Sequence, residues 1–223
     1  MKPTGFPHSG VASPAEQSAG GPLEVYRDDG PLALALARTL RVRLDPAALL
    51  VLGGLPLVVV LAWPAHSLST GVGAAAIAWF VLAGSLGAGR VASPRWAWTV
   101  PPMLRGLEYG ALIKLTALAD PGAMPACYAL LAVLAFHHYD AVYRLRHQRV
   151  PPPAWTRVAG GGWDGRLLVA AVLALAGGLA VAEVVAAVVL GVAFAAESIA
   201  GWTRYVRAGR PSALYEQDEL EDA

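Results

Sequence analysis

The chain alternates long apolar runs with short polar segments. A helix that crosses a bilayer needs about 20 mostly apolar residues, within a range of roughly 17–25. Residues 46–63, 71–88, 100–119 and 123–143 each meet that requirement. Residues 167–201 form one further run, interrupted chiefly by Glu183 and Glu197. As a single helix, roughly 30 apolar residues would span about 45 Å, against a hydrocarbon core of about 30 Å. This run therefore reads as a hairpin turning within Gly177–Glu183. The expected fold is all-α: a polytopic membrane bundle of six transmembrane helices over residues 45–202.

The flanks read differently. Residues 1–30 are rich in Pro, Gly and Ser, lack an apolar core, and are expected to be a disordered tail without a signal peptide. Residues 31–44 set Leu and Ala among Arg38, Arg41 and Arg43, the pattern of an amphipathic helix lying on a membrane surface. Asp28, Asp29 and Pro31 form its expected start. Residues 203–223 are expected to form a cytoplasmic C-terminal tail, whose acidic stretch Glu216–Asp222 would serve as a docking segment if the chain is an anchor for other enzymes.

Charge supplies the orientation. Of 17 basic residues, Lys2, Arg27, Arg38, Arg41 and Arg43 precede the first run. Arg90 and Arg95 lie between the second and third. Arg144, Arg146, Arg149, Arg157 and Arg166 lie between the fourth and fifth, and Arg204, Arg207 and Arg210 follow the last. Arg105 and Lys114 sit inside the third run, and the alternate loops hold none. Positive flanks resist translocation, so both termini are expected in the cytoplasm. Trp96, Trp98, Trp155, Trp163 and Trp202 fall near the same boundary; Trp79 is the mid-span exception. The composition, 56% apolar and 15% charged with a mean hydropathy of +0.50, excludes an ordinary soluble domain. Its Ala, Gly, Val, Leu and Arg bias suggests a GC-rich bacterial genome, hence a bacterial cell membrane. Cys127 is alone, which leaves neither a disulfide framework nor a thiolate metal site.

Polar residues within or beside the runs gather at one depth. Arg105, Glu108 and Tyr109 share a helix face at steps of three and four. His137, Asp140 and Arg144 form a second stripe, with His138 about 100° away from it. Asp164 and Arg166 open the fifth span, and Glu197 lies near the inner end of the sixth, where an acid in an apolar run needs a partner or a wet cavity. Glu108, His138, Asp140 and Glu197 are candidate acid–base groups. Gly160, Gly161 and Gly162, ahead of Asp164 and Arg166, could bring backbone N–H groups to a phosphate, with Arg105 and Arg144 assisting. The bland reading makes Arg105–Glu108 and Asp140–Arg144 internal ion pairs. His137 and Asp140 with a distant acid could hold a divalent metal, and the residues point to no particular cofactor beyond that. Gly106 and Gly110 form a GxxxG step, a weak sign of close helix contact.

The stretch His137-His138-Tyr139-Asp140-Ala141-Val142-Tyr143-Arg144-Leu145-Arg146-His147 stands out, with Pro151–Pro153, Gly160-Gly161-Gly162-Trp163-Asp164-Gly165-Arg166 and Pro101-Pro102-Met103-Leu104-Arg105-Gly106-Leu107-Glu108-Tyr109. From about Asp28 to Trp202 the chain resembles an uncharacterised actinobacterial polytopic membrane domain. That domain often accompanies CDP-alcohol phosphatidyltransferase and nucleotidyltransferase modules. The resemblance implies a setting in lipid or polyprenyl-phosphate metabolism, with CDP-alcohol phosphatidyltransferase-type enzymes as partners. The transferase signature D-x-x-D-G-x-x-A-R…G-x-x-x-D-x-x-x-D is itself absent, which argues against two-metal chemistry in this chain. The leading expectation is a membrane-embedded transferase acting on a phosphorylated lipid or isoprenoid at the cytoplasmic leaflet. The alternative is a non-catalytic membrane anchor or assembly partner for lipid-synthesis enzymes. A transporter is disfavoured, because only Lys114 lies deep in a span, and no nucleic-acid partner is expected.

Overall fold

The structure, a computed structural model, describes residues 26–93, 95–148 and 150–208. All regular structure among them is helical. The expected tail over residues 1–25, Arg149, Arg210 and the segment Glu216–Asp222 lie outside the described residues, as does the side chain of Arg157.

In chain order the helices are α1 (Pro31–Leu40), α2 (Pro46–Ala62), α3 (Thr70–Ser85), α4 (Val100–Ala119), α5 (Met124–His147), α6 (Ala154–Ala159), α7 (Gly162–Ala176) and α8 (Leu179–Arg207). The last apolar run breaks at Gly177–Gly178, where Gly177 takes φ +76° and Gly178 N–H returns to the Leu173 carbonyl at 2.8 Å. Helix α5 extends one turn beyond the expected span, and α8 continues to Arg207. Of these helices, α8 is long and apolar enough to cross a membrane.

The helices pack both between sequence neighbours and between helices distant in the chain. Helix α2 lies on α3, α3 on α7, and α5 on α8, while α4 touches α2, α3, α5 and α7. The core between them is built from Leu57, Ile77, Phe80, Leu104, Leu115, Leu134, Trp163 and Leu167. Small residues let backbones approach, though not where the GxxxG step suggested. Nothing lies within 4 Å of a Cβ built on Gly106, while one on Gly110 meets Leu61 at 3.0 Å. Helices α2 and α3 come close at Gly53, where an added Cβ would lie 2.9 Å from the Ala83 Cβ and 3.3 Å from the backbone of Phe80 and Gly84.

Pro56 and Trp79 explain each other. Pro56 sits inside α2 and has no N–H, which leaves the Leu52 carbonyl without its helical donor. The indole N–H of Trp79, on α3, reaches that carbonyl at 3.4 Å. Trp79→Phe is expected to lower stability by about 0.5–1 kcal/mol, and the loss should vanish in a Pro56→Ala background. Thermal unfolding of the single and double variants reads this out.

Two expectations for the N-terminal segment are corrected. Helix α1 stops at Leu40 rather than residue 44, because Arg41 adopts the left-handed conformation at φ 43°. Residues 26–30 are no tail: Arg27, Asp28 and Asp29 are all buried, because their charges have partners in the bundle. Asp28 and Asp29 do not cap α1 either. Gly30 is the N-cap, and the capping carboxylate comes from Asp164, which accepts from the N–H groups of Gly30 at 2.6 Å and Ala33 at 2.8 Å.

Candidate functional site

The polar residues gather at one end of the bundle, which carries Arg90, Arg105, Arg144 and Arg166. At that end Asp45 caps α2 through Ala47 N–H at 2.8 Å and holds Ser93 N–H at 2.8 Å. The Arg90 guanidinium donates to the carbonyls of Val42 and Leu44. Lys114 is at the opposite end and donates to the Trp63 carbonyl.

The expected single layer divides into two clusters. The first joins four elements around Arg166. Its Nε donates to Glu108 Oε1 at 2.7 Å, its Nη2 to Asp28 Oδ2 at 2.9 Å, and its Nη1 to the Gly160 carbonyl at 3.2 Å. Glu108, fully buried, also pairs with Arg105, which in turn donates to the Arg27 carbonyl. His138 bridges the group: Nδ1 lies 2.7 Å from the Tyr109 hydroxyl and Nε2 lies 3.5 Å from Asp28 Oδ2.

Asp28 is the carboxylate that sequence reasoning missed. Burial pushes its carboxyl up, but Arg166, the His138 hydrogen bond and Arg105 outweigh that and hold it well below the usual carboxylate range. A depressed folded value gives stability that is present above the unfolded value of about 3.9 and is lost only as pH falls through the folded one. Asp28 is therefore an anion throughout pH 5–8.

Asp29 is an anchor. It accepts from Arg27 Nε at 2.9 Å, Trp163 Nε1 at 2.9 Å and Gly89 N–H at 3.2 Å. The Asp28 carbonyl accepts from Trp163 N–H at 3.2 Å. The segment before α1 is thus tied to α7 and to the end of α3.

The second cluster lies between α5 and α8. Arg144 Nε is 2.8 Å from Asp140 Oδ2, and its Nη2 is 2.9 Å from Glu197 Oε2. Ser198 donates to Asp140 Oδ1 at 2.9 Å. Gly201 leaves the room that the guanidinium fills. His137 stacks on Phe194 at 4.0 Å. The stripe His137, Asp140 and Arg144 does share one face, and that face meets α8; His138 points to α4 instead.

Several expected roles are corrected by this geometry. Gly160 and Gly161 do not cradle an anion, since their N–H groups donate to the carbonyls of Thr156 and Val158. Gly162 is instead a close-contact position, where an added Cβ would overlap the Gly30 backbone. Asp164 is committed to capping α1. Arg144 and Arg166 are consumed by carboxylates rather than left for phosphate. Asp140 and Glu197 belong to the α5–α8 clamp, apart from Glu108 and His138. The metal reading of His137 and Asp140 lacks a third ligand: among the described residues no group of three or more His, Cys, Asp or Glu is placed to hold an ion.

A cavity of about 680 Å³ opens beside the first cluster. Asp28, Arg105, His138 and Arg146 bring its polar groups, and Trp98, Pro101, Pro102, Val142 and Pro151–Pro153 form apolar walls. Glu108 is not among the lining residues; it supports the site by holding Arg105 and Arg166. Arg146 was the least conspicuous of the basic residues in the sequence. Its signal was its place one turn beyond Val142 and about two turns beyond His138 on the same helix face.

A family model matches residues 17–219, and the chain belongs to that family, described as a family of unknown function (DUF5941). Comparison with curated proteins and with solved structures finds no match.

Proposed function

We propose that the chain is an integral bacterial membrane protein that crosses the bilayer six times with both termini in the cytoplasm. In this reading the cavity between α4 and α5 receives the phosphorylated head of a lipid or polyprenyl phosphate at the cytoplasmic leaflet. Support for the membrane setting comes from the outer surface. Val181, Val184, Val185, Val188, Val189 and Val192 of α8 are each at least 52% exposed, as are Val169, Val172 and Leu175 of α7. So large an apolar belt suits lipid rather than water. The charges that pair inside the basic end are those a bilayer would require to be matched.

The observation that carries the reading is the 680 Å³ cavity, where cations and an imidazole stand against apolar walls. Arg146 would bind phosphoryl oxygens directly, assisted by Arg105. His138, held between Tyr109 and Asp28, is placed to take or return a proton during transfer, with Asp28 fixing the ring's orientation. The apolar walls would receive the first part of the lipid chain. The chain would then serve lipid or polyprenyl-phosphate metabolism beside CDP-alcohol phosphatidyltransferase-type enzymes, as the sequence resemblance implies. The anchor alternative requires every charge to be locked with no cavity between them, and the cavity is what favours ligand binding over it.

The test uses the full chain in nanodiscs. A polyprenyl phosphate should bind at least about tenfold more tightly than the matching polyprenol, the size of one charge-assisted contact. Arg146→Gln should remove about that factor while leaving the unfolding temperature unchanged. Equal binding of phosphate and alcohol would reject the site.

A further inference from the structure

A second cavity of about 400 Å³ runs between α7 and α8, from the basic end at Arg166 toward Glu183, walled by Leu173, Ala182, Val185, Ala186 and Val189. Its polar member at the far end is Glu183, only 2% exposed. Oε1 of Glu183 accepts from the Thr116 hydroxyl at 2.5 Å and the Cys127 thiol lies beside the carboxyl, but Oε2 is buried with no partner of hydrogen-bond geometry. No ion pair among the described residues includes Glu183. Asp120, at the same end of α4, adds a second acid rather than a base. Lys114 is committed to the Trp63 carbonyl. An unmatched buried carboxylate costs several kcal/mol unless something completes it.

We infer that the α7–α8 groove is a binding site for an amphiphile with one aliphatic chain and an ammonium head, the head meeting Glu183 Oε2. The groove runs from Glu183 past Leu190 toward Gly160, about 10 Å along α8 at 1.5 Å per residue. An apolar chain would cover Val185, Ala186 and Val189. An anionic head has no cation to meet at either end, because Arg166, which closes the other end, is already held by Glu108 and Asp28. This site shares no ligand-facing residue with the α4–α5 cavity and stands or falls separately.

The experiment measures thermal unfolding of the full chain in nonionic micelles with dodecylamine, dodecanol or dodecanoate. At tenfold excess over its Kd, dodecylamine should raise Tm by about 3–6 °C, with little effect from the other two. Glu183→Gln should abolish the shift, as should Ala186→Phe, which fills the groove and leaves the carboxyl in place. If Glu183→Gln does not fold, Ala186→Phe decides the matter alone. Equal shifts from dodecylamine and dodecanol would overturn the inference, as would a dodecylamine shift that survives in the folded variants. So would no shift in the wild-type chain. Polyprenyl phosphate binding in the other cavity should be unchanged by Ala186→Phe.

Discussion

Replacing Arg166 with methionine is expected to cost about 3–5 kcal/mol, a large share of a total stability of about 5–15 kcal/mol. The reason is the company it keeps. Glu108 is fully buried and Asp28 nearly so, and among the described residues Arg166 is the one cation that contacts both carboxylates. Without it, Glu108 keeps only Arg105, and Asp28 keeps only His138 at 3.5 Å. Lysine is not expected to rescue, because a single ammonium cannot serve Glu108, Asp28 and the Gly160 carbonyl from one fork. Adding Glu108→Gln to Arg166→Met should recover part of the loss, since one of the stranded charges is gone. Monodispersity by size-exclusion chromatography and Tm for the three variants check this. A stable Arg166→Met protein would mean that these carboxylates are neutral or hydrated.

Gly162→Ala should be nearly as damaging, by a different route. Gly162 takes φ +64°, a conformation that costs an L-residue about 1–2 kcal/mol. The added methyl group would also overlap the Gly30 backbone. To make room, residues 28–30 must leave the start of α7. The Asp164 bonds to Gly30 and Ala33 would then lengthen, and the Trp163 bonds to Asp28 and Asp29 with them. A loss of roughly 3 kcal/mol or more is expected, with α1 released. Hydrogen exchange at Ala33 and Leu34, together with Tm, distinguishes this from a local hinge effect. Gly165→Ala, with nothing within 4 Å of the added atom, is the matched control and should be almost silent.

What the sequence disclosed follows from how local each signal is. Apolar run length located α2 to α5, and excess length, with the need to keep Arg204, Arg207 and Arg210 on the basic side, called for a turn that falls at Gly177–Gly178. Steps of three and four correctly set His137, Asp140 and Arg144 on one face and His138 on another. The partners of those faces were illegible, because Glu197 and Ser198 lie more than fifty residues away in the chain. Asp28 and Asp29 failed for the same reason. Their neighbours suggested a polar tail, while the groups that bury them, Gly89, Trp163 and Arg166, are brought there by the fold. The glycine run at 160–162 was read as an anion cradle because glycine freedom and backbone proximity look alike in sequence. Which backbone comes close, a ligand's or the chain's own, depends on where Gly30 ends up.

In the proposed function, the cavity beside Arg105, His138 and Arg146 takes a phosphorylated lipid. Photo-cross-linking tests it most directly, using a polyprenyl phosphate with the photoreactive group next to the phosphate, in nanodiscs, followed by peptide mapping. Adducts are expected to concentrate in Trp98–Arg105 and His138–Thr156, to be competed by unlabelled polyprenyl phosphate and to fall in Arg146→Gln. Adducts spread along the lipid-facing sides of α7 and α8, unaffected by that substitution, would contradict it.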